Sequence, residues 1–149
     1  MPERETLERA REDAREGKSP STQAGEFIRE EIHHVREGKH GVRSPQQAIA
    51  IGLSKARRAG IKLGPPKKAS ASIQRKAEQD TEAGNRARGS QRKPSATRSR
   101  AVEGALKREP HRTASHEALS RQTKRSAAQR GKASRQQAAR KAARTRKAA

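Results

Sequence analysis

Residues 19–60 read SPSTQAGEFIREEIHHVREGKHGVRSPQQAIAIGLSKARRAG, and this stretch decides the fold. It holds two segments with the same punctuation, Ser19-Pro20 to Gly38 and Ser44-Pro45 to Gly60. Serine is a favoured N-cap, proline is favoured at the first helical position, and glycine takes the position that ends a helix. In the first segment Ala24, Phe27, Ile28, Ile32 and Val35 recur at helical spacing. Gln23, Glu26, Arg29, Glu30, His33 and Glu37 cover the other side, so the helix is amphipathic. In the second, Ile49, Gly52, Leu53 and Ala56 share a face, with Ile51, Lys55 and Arg58 on the adjacent one. Gln47 stands at the capping-box position, and Ile61 is placed for the apolar contact that accompanies a C′ glycine. Only Gly38 to Arg43 separate the helices, which predicts an antiparallel hairpin. Ile28 and Leu53 are expected to point inward and Lys55 outward.

Upstream, Glu3 to Glu16 reads as a polar helix with a thin stripe of Leu7, Ala10 and Ala14, a Glu5–Arg9 pair at i,i+4, and a stop at Gly17. Downstream, Gly64-Pro65-Pro66 breaks the pattern. Of the sixteen Val, Ile, Leu, Met and Phe residues in the chain, ten fall between Phe27 and Leu63, so any core is expected there. A hairpin this small needs support from the first helix, a second copy or a ligand, which predicts a homodimer or partner-assisted folding. Beyond Lys67 the large apolar residues Ile73, Val102, Leu106 and Leu119 are isolated. Short helical stretches are expected at 70–83 and 115–130, and at 135–148 once charge is neutralised, but nothing there should fold by itself. The expected fold class is mostly α: a polar N-terminal helix (1–18), an antiparallel helical hairpin (19–64), and a long, disordered, low-complexity basic tail (65–149).

Charge is distributed as unevenly as apolarity. Residues 1–37 hold ten acids and seven bases, whereas residues 38–149 hold six acids and thirty bases, for a net charge of +21 and a pI of about 11.6. Residues 120–149 contain eleven Lys or Arg and no acid. Such a segment repels itself and is relieved by a polyanion, the commonest of which is nucleic acid. The excess far exceeds what solubility needs. The bases expected to carry this are Lys55, Arg57 and Arg58, then Lys67 and Lys68, then Arg121, Lys124, Arg125, Arg130, Lys132, Arg135, Arg140, Lys141, Arg144, Arg146 and Lys147. With a single Phe and no Trp or Tyr, the stacking platforms of RNA-recognition and single-strand-binding surfaces are missing.

No catalytic constellation emerges. His33, His34 and His40 lie near Glu30, Glu31 and Glu37, but adjacent histidines on a helix point about 100° apart and the i,i+4 spacing of helical zinc sites is missing. They are expected to stabilise a helix C-terminus, with no metal and no cofactor. Gly38-Lys-His-Gly41 could wrap a phosphate ahead of the helix opening at Ser44, and a helix-turn-helix reading would put Gln46 and Gln47 on adenine edges. Gly60-Ile-Lys-Leu-Gly64 lacks the strand context and Gly-Lys-Ser/Thr ending of a phosphate loop, and Ser115-His116-Glu117 has no fold to preorganise it. With no Cys there are no disulfides or thiolate metal sites, no apolar run approaches membrane length, and Met1-Pro-Glu-Arg-Glu lacks the features of a signal peptide. A cytoplasmic, nucleoid location is expected.

The stretch from Glu26 to Gly60, above all Ala-Ile-Gly-Leu-Ser-Lys-Ala-Arg-Arg-Ala-Gly around Ala48–Gly60, resembles small basic bacterial proteins of unknown function. The tail resembles in composition the Lys/Ala/Arg-rich arms of histone-like nucleoid proteins. The expectation is a non-enzymatic, histone-like protein binding DNA through its phosphate backbone. An RNA- or ribosome-associated basic protein is the first alternative. The second is an adaptor whose hairpin docks an acidic protein partner.

Overall fold

A computed structural model describes residues 2–86 and 95–148. The chain divides into two compact units, Met1–Ala114 and Ser115–Ala149. The first contains α1 (Arg4–Arg15), α2 (Pro20–Arg36), α3 (Pro45–Arg58), α4 (Ala71–Arg86), α5 (Ala96–Lys107) and a short 3-10 turn (Arg112–Ala114). The second contains α6 (His116–Gln129) and α7 (Gly131–Ala148).

The punctuation of the first three helices works as the sequence indicates. Ser19 Oγ and Ser44 Oγ accept from the N–H groups of Thr22 and Gln47. Gln47 Oε1 reaches back to the N–H of Arg43 at 2.8 Å, one residue before the cap. Gly38 and Gly60 adopt φ of 76° and 94°, a region that glycine enters at little cost and other residues only under strain. The paired bonds Gly60 N–H to Arg57 O (2.9 Å) and Ile61 N–H to Ala56 O (3.1 Å) complete a Schellman motif, repeated at Gly38 by bonds to Val35 and His34.

α2 and α3 form the expected antiparallel hairpin, with α1 against α2 and α4 against α3. Ala10, Ala24, Phe27 and Ala56 form one buried cluster, flanked by Leu7, Leu53, Ile61 and Leu63. Val35, Val42, Ala48 and Ala114 form a second, flanked by Ile32 and Ile51. The largest side chains do not set the spacing. Ala48, Gly52 and Ala56 make a stripe of small residues along α3, all buried. A Cβ placed on Gly52 would stand 2.7 Å from Ile28 Cα, so the two backbones are in direct contact. Ile28 and Leu53, expected as the inward stripes, are therefore only half-buried.

The expected disordered tail is wrong over the described residues. α4 is a sixteen-residue helix that buries Ala77, Asp80 and Gly84 at helical spacing. Any Cβ on Gly84 would overlap the carbonyl of Arg57, so α4 seats directly on the end of α3. Asp80 is 2% exposed and accepts from Ser54 Oγ at 2.7 Å, Arg58 Nε at 2.9 Å and Lys76 Nζ at 2.7 Å. Counting large apolar residues could not reveal an interface made of alanine, glycine and a carboxylate. Residues 108–114 then clasp the turn between α2 and α3. Gly41 N–H bonds to Leu106 O, Val42 N–H to Pro110 O, and Thr113 Oγ1 donates to Val42 O at 2.6 Å. Arg36 Nε donates to Ala114 O at 2.9 Å, and Ala114 is fully buried. Within one chain, α1, α4 and this clasp all pack on the hairpin. Residues 87–94, which the expected tail included, lie outside the described residues.

The α3–α4 contact gives a direct test. Gly84→Ala is expected to lower stability by about 1–3 kcal/mol, as overpacking does. Gly25→Ala on α2, where an added Cβ meets nothing within 4 Å, is expected to raise it by about 0.5–1 kcal/mol. Urea denaturation of the two variants checks both signs, and a neutral Gly84→Ala would mean that α4 is not packed.

Candidate nucleic-acid interface

α6 and α7 are built from residues that favour helix and from little else. Ala, Arg, Lys and Gln have high intrinsic helix propensity. Ser115 caps α6 by accepting from the N–H of Ala118 at 3.2 Å. Arg130 ends α6, Gly131 takes φ of 68°, and α7 begins at once. Arg121, Lys124 and Arg125 fall at i, i+3 and i+4 and share one face of α6. Lys132, Arg135, Arg140, Lys141, Arg144, Arg146 and Lys147 spread around most of α7. Every one of these bases, Arg130 included, is exposed. Among the described residues none of them sits in a salt bridge. Arg140 and Arg144 at i,i+4 repel, as do Lys141 and Arg144 at i,i+3, by about 0.2–0.5 kcal/mol a pair. A polyanion laid along α7 removes that repulsion.

The bases of the first unit have a different use. Lys67 and Lys68 are exposed in the turn before α4. Lys55, expected at the surface, is turned inward with its side chain only 23% exposed. Its ammonium lies 3.2 Å from Glu30 Oε1 and 2.7 Å from Glu31 Oε2, between two carboxylates that are each 1% exposed. The Glu31 contact is an ion pair by distance, although that oxygen receives no well-aligned hydrogen bond. Arg57 is buried with its Nε unbonded, and Arg58 is held by Asp80. Lys55 and Arg58 are therefore structural partners for acids, while Arg57 is buried. Sequence periodicity misled here because α2 is covered on two sides, by α1 and α3, so its buried arc extends past the apolar stripe to Glu30 and Glu31.

The other candidate chemistries separate clearly. The Gly38–Gly41 cradle has no N–H groups to offer an anion at Gly38, Lys39 or Gly41: the first two close the Schellman motif and Gly41 bonds to Leu106 O. The helix-turn-helix reading loses two of its three phosphate contacts with Lys55 and Arg57 turned inward, and keeps the exposed Arg58. Ser115 of the triad-like trio is an N-cap. The histidines divide. His33 points to Glu37 at 3.2 Å and is mostly exposed. His34 and His40 instead converge with Glu31, each offering a ligand-type atom within 4.8 Å of the others. The sequence carried a signal for this convergence: Glu31 and His34 fall at i,i+3, which puts them on one helix face. Glu3, which the sequence did not single out, accepts from His34 Nε2 at 2.8 Å and from Lys39 Nζ at 3.2 Å. Those two partners hold its carboxyl below the ordinary glutamate range.

Two substitutions probe this network. Lys55→Ala strands Glu30 and Glu31 in the interior and is expected to cost about 3–5 kcal/mol, against near-neutrality for a surface lysine, measured by urea denaturation. Asp80 supplies the pH test. Burial raises its pKa, hydrogen bonds from Lys76, Ser54 and Arg58 outweigh that, and the carboxyl lies below its ordinary value of 3.8. A depressed folded-state pKa stabilises the protein above the unfolded value and loses that contribution as pH falls through the folded one. Asp80→Asn is thus expected to be less stable than the parent by about 1–3 kcal/mol near neutral pH, with the gap closing as pH falls below the ordinary aspartate range.

Residues 15–68 match a family of unknown function, DUF6496. The matched segment spans the hairpin, with Lys55, Glu31, His34 and His40, and ends before α4; α6 and α7 lie outside it. No curated protein and no solved structure matches the chain.

Proposed function

We propose that this chain is a non-enzymatic nucleic-acid-binding protein, in which α6 and α7 form a basic helical arm that neutralises the phosphate backbone of DNA. The observation that carries the reading is the exposed and unpaired state of the eleven bases between Arg121 and Lys147, in a segment without an acid. Lys55 is held by buried acids and Arg57 is buried, so of the α3 bases Arg58, paired with Asp80 but exposed, is the one that remains as a contact. Lys67 and Lys68 remain as outlying contacts on the first unit. Phosphate neutralisation releases condensed counterions, which makes such binding strong, salt-dependent and indifferent to sequence. The lack of aromatic side chains on the arm favours a duplex over a single strand, since stacking has no platform. A bacterial nucleoid is the setting in which such an arm would meet its ligand.

Salt dependence tests this. The logarithm of the affinity for duplex DNA is expected to fall linearly with the logarithm of salt concentration, with a slope of roughly −4 to −9 for about five to ten phosphate contacts. A filter-binding titration with a slope near zero would reject the mechanism. A chain ending at Ala114 is expected to keep its helical melt and lose most of the affinity, whereas Lys67→Ala with Lys68→Ala is expected to reduce the slope by about two. Tighter binding to duplex RNA than to duplex DNA in the same titration would move the assignment to RNA.

A further inference from the structure

The turn that follows α2 brings together a set of groups that the basic arm does not need. Glu31 and His34 project from the last turns of α2, and His40 comes from the loop beyond Gly38. Glu31 is 1% exposed, His34 13% and His40 15%, so the cluster is largely withdrawn from water. The hydrogen-bonding of His40 is the informative detail. Its Nδ1 lies 3.1 Å from the carbonyl oxygen of Gly41, an acceptor only, which suits the tautomer with the proton on Nδ1. Its Nε2 lies 3.2 Å from Glu31 Oε1. In a neutral imidazole that nitrogen presents a lone pair, and a lone pair facing a carboxylate oxygen is repulsive. In that tautomer a positive centre between them, either a second proton or a metal ion, relieves the repulsion.

The separation of His40 Nε2 and Glu31 Oε1 fits two ligands of a tetrahedral ion, which stand about 3.3 Å apart with bonds of about 2.0–2.1 Å, but the plain His33–Glu37 pair has the same separation. Two other observations favour the metal. The first is charge. Glu30 and Glu31 share the single ammonium of Lys55, which leaves one buried carboxylate charge uncompensated beside the two imidazoles. The second is the outer shell. His40 donates to a backbone carbonyl and His34 Nε2 pairs with Glu3 Oε1 at 2.8 Å, the kind of partners that orient metal-bound histidines. Lys55 does the same for Glu31 through its other oxygen.

We propose that Glu31, His34 and His40 bind a divalent transition-metal ion of the zinc type, with water completing the coordination. Two imidazoles and one carboxylate suit zinc and its neighbours; magnesium and calcium prefer oxygen alone, and the soft thiolate sites need cysteine, which the chain lacks. The ion ties the C-terminal turn of α2 to the loop that residues 108–114 clasp, so it stabilises the first unit. A groove between α1 and α2, lined in part by Glu3, Glu30 and His34, reaches one of the three ligands.

Calorimetric titration of the full-length, metal-stripped chain with Zn2+ tests the site, with Co2+ as a spectroscopic stand-in. The expected results are one ion per chain, the intense visible absorption of tetrahedral cobalt, and a melting temperature that rises with bound metal. His40→Ala and Glu31→Gln are expected to weaken the affinity by more than about 100-fold, beyond the 10–100-fold typical of an outer-shell partner. His33→Ala, whose side chain points to Glu37, is expected to leave it unchanged. Circular dichroism confirms that each variant is folded. Absence of saturable binding, an octahedral cobalt spectrum, or equal affinity in His40→Ala and the parent overturns the proposal. The cobalt spectrum of the parent decides it even if both ligand variants fail to fold.

Discussion

Backbone contact between helices is the constraint on which the first unit depends. The chain has few large apolar side chains, so it gains packing by bringing helices close enough for main chains to touch. Gly52 against Ile28 and Gly84 against the Arg57 carbonyl are the two points of contact, with Ala48, Ala56 and Ala77 extending the same surfaces. Dispersion between close-packed atoms falls off steeply with separation, so a gain of even an ångström matters across a whole helix face. The arrangement also brings polar side chains within reach of one another. Lys55 meets Glu30 and Glu31 across α2 and α3, and Ser54 and Arg58 meet Asp80 across α3 and α4.

Those buried ion pairs explain how the charge of the chain is partitioned. The first unit contains most of the acids and engages several of them with bases from neighbouring helices. Lys18 pairs with Asp13 and Glu16, Arg9 with Glu5 and Glu26, and Lys55 with Glu30 and Glu31. After Ser115 only Glu117 remains among the acids, and among the described residues no base of α6 or α7 forms a salt bridge. Basic residues therefore mean different things in the two units: specific electrostatic locks in one, an unoccupied charge surface in the other.

The hairpin was legible in the sequence because its signals are local. Ser19, Pro20 and Gly38, then Ser44, Pro45 and Gly60, each act within a turn of the residue that carries them, and all act as read. The segments at 70–83 and 115–130 were legible as helices by the same local rules. What escaped is tertiary. The folding of α4 onto α3 depends on Ala77, Asp80 and Gly84, none of which raises an apolar count. α5 has no buried residue and no amphipathic pattern to announce it. The inward turn of Lys55 follows from the coverage of α2 on a second side, which no single helix reveals. Histidine spacing along α2 argued against convergence, because the third partner of Glu31 and His34 comes from beyond the helix.

The clasp of residues 108–114 over the turn at 40–43 sets an order of events in folding. Its bonds join positions 66 to 78 apart in sequence, whereas the hairpin contacts are local. Closing so long a loop is entropically unfavourable until both ends have something to bind, so the hairpin forms before the clasp can close over it. During synthesis the turn at His40 leaves the ribosome well before Ala114 exists to cover it. For that interval Val35, Val42 and Ala48 lack one wall of their cluster, and the cationic helices emerge only after the wall has been made.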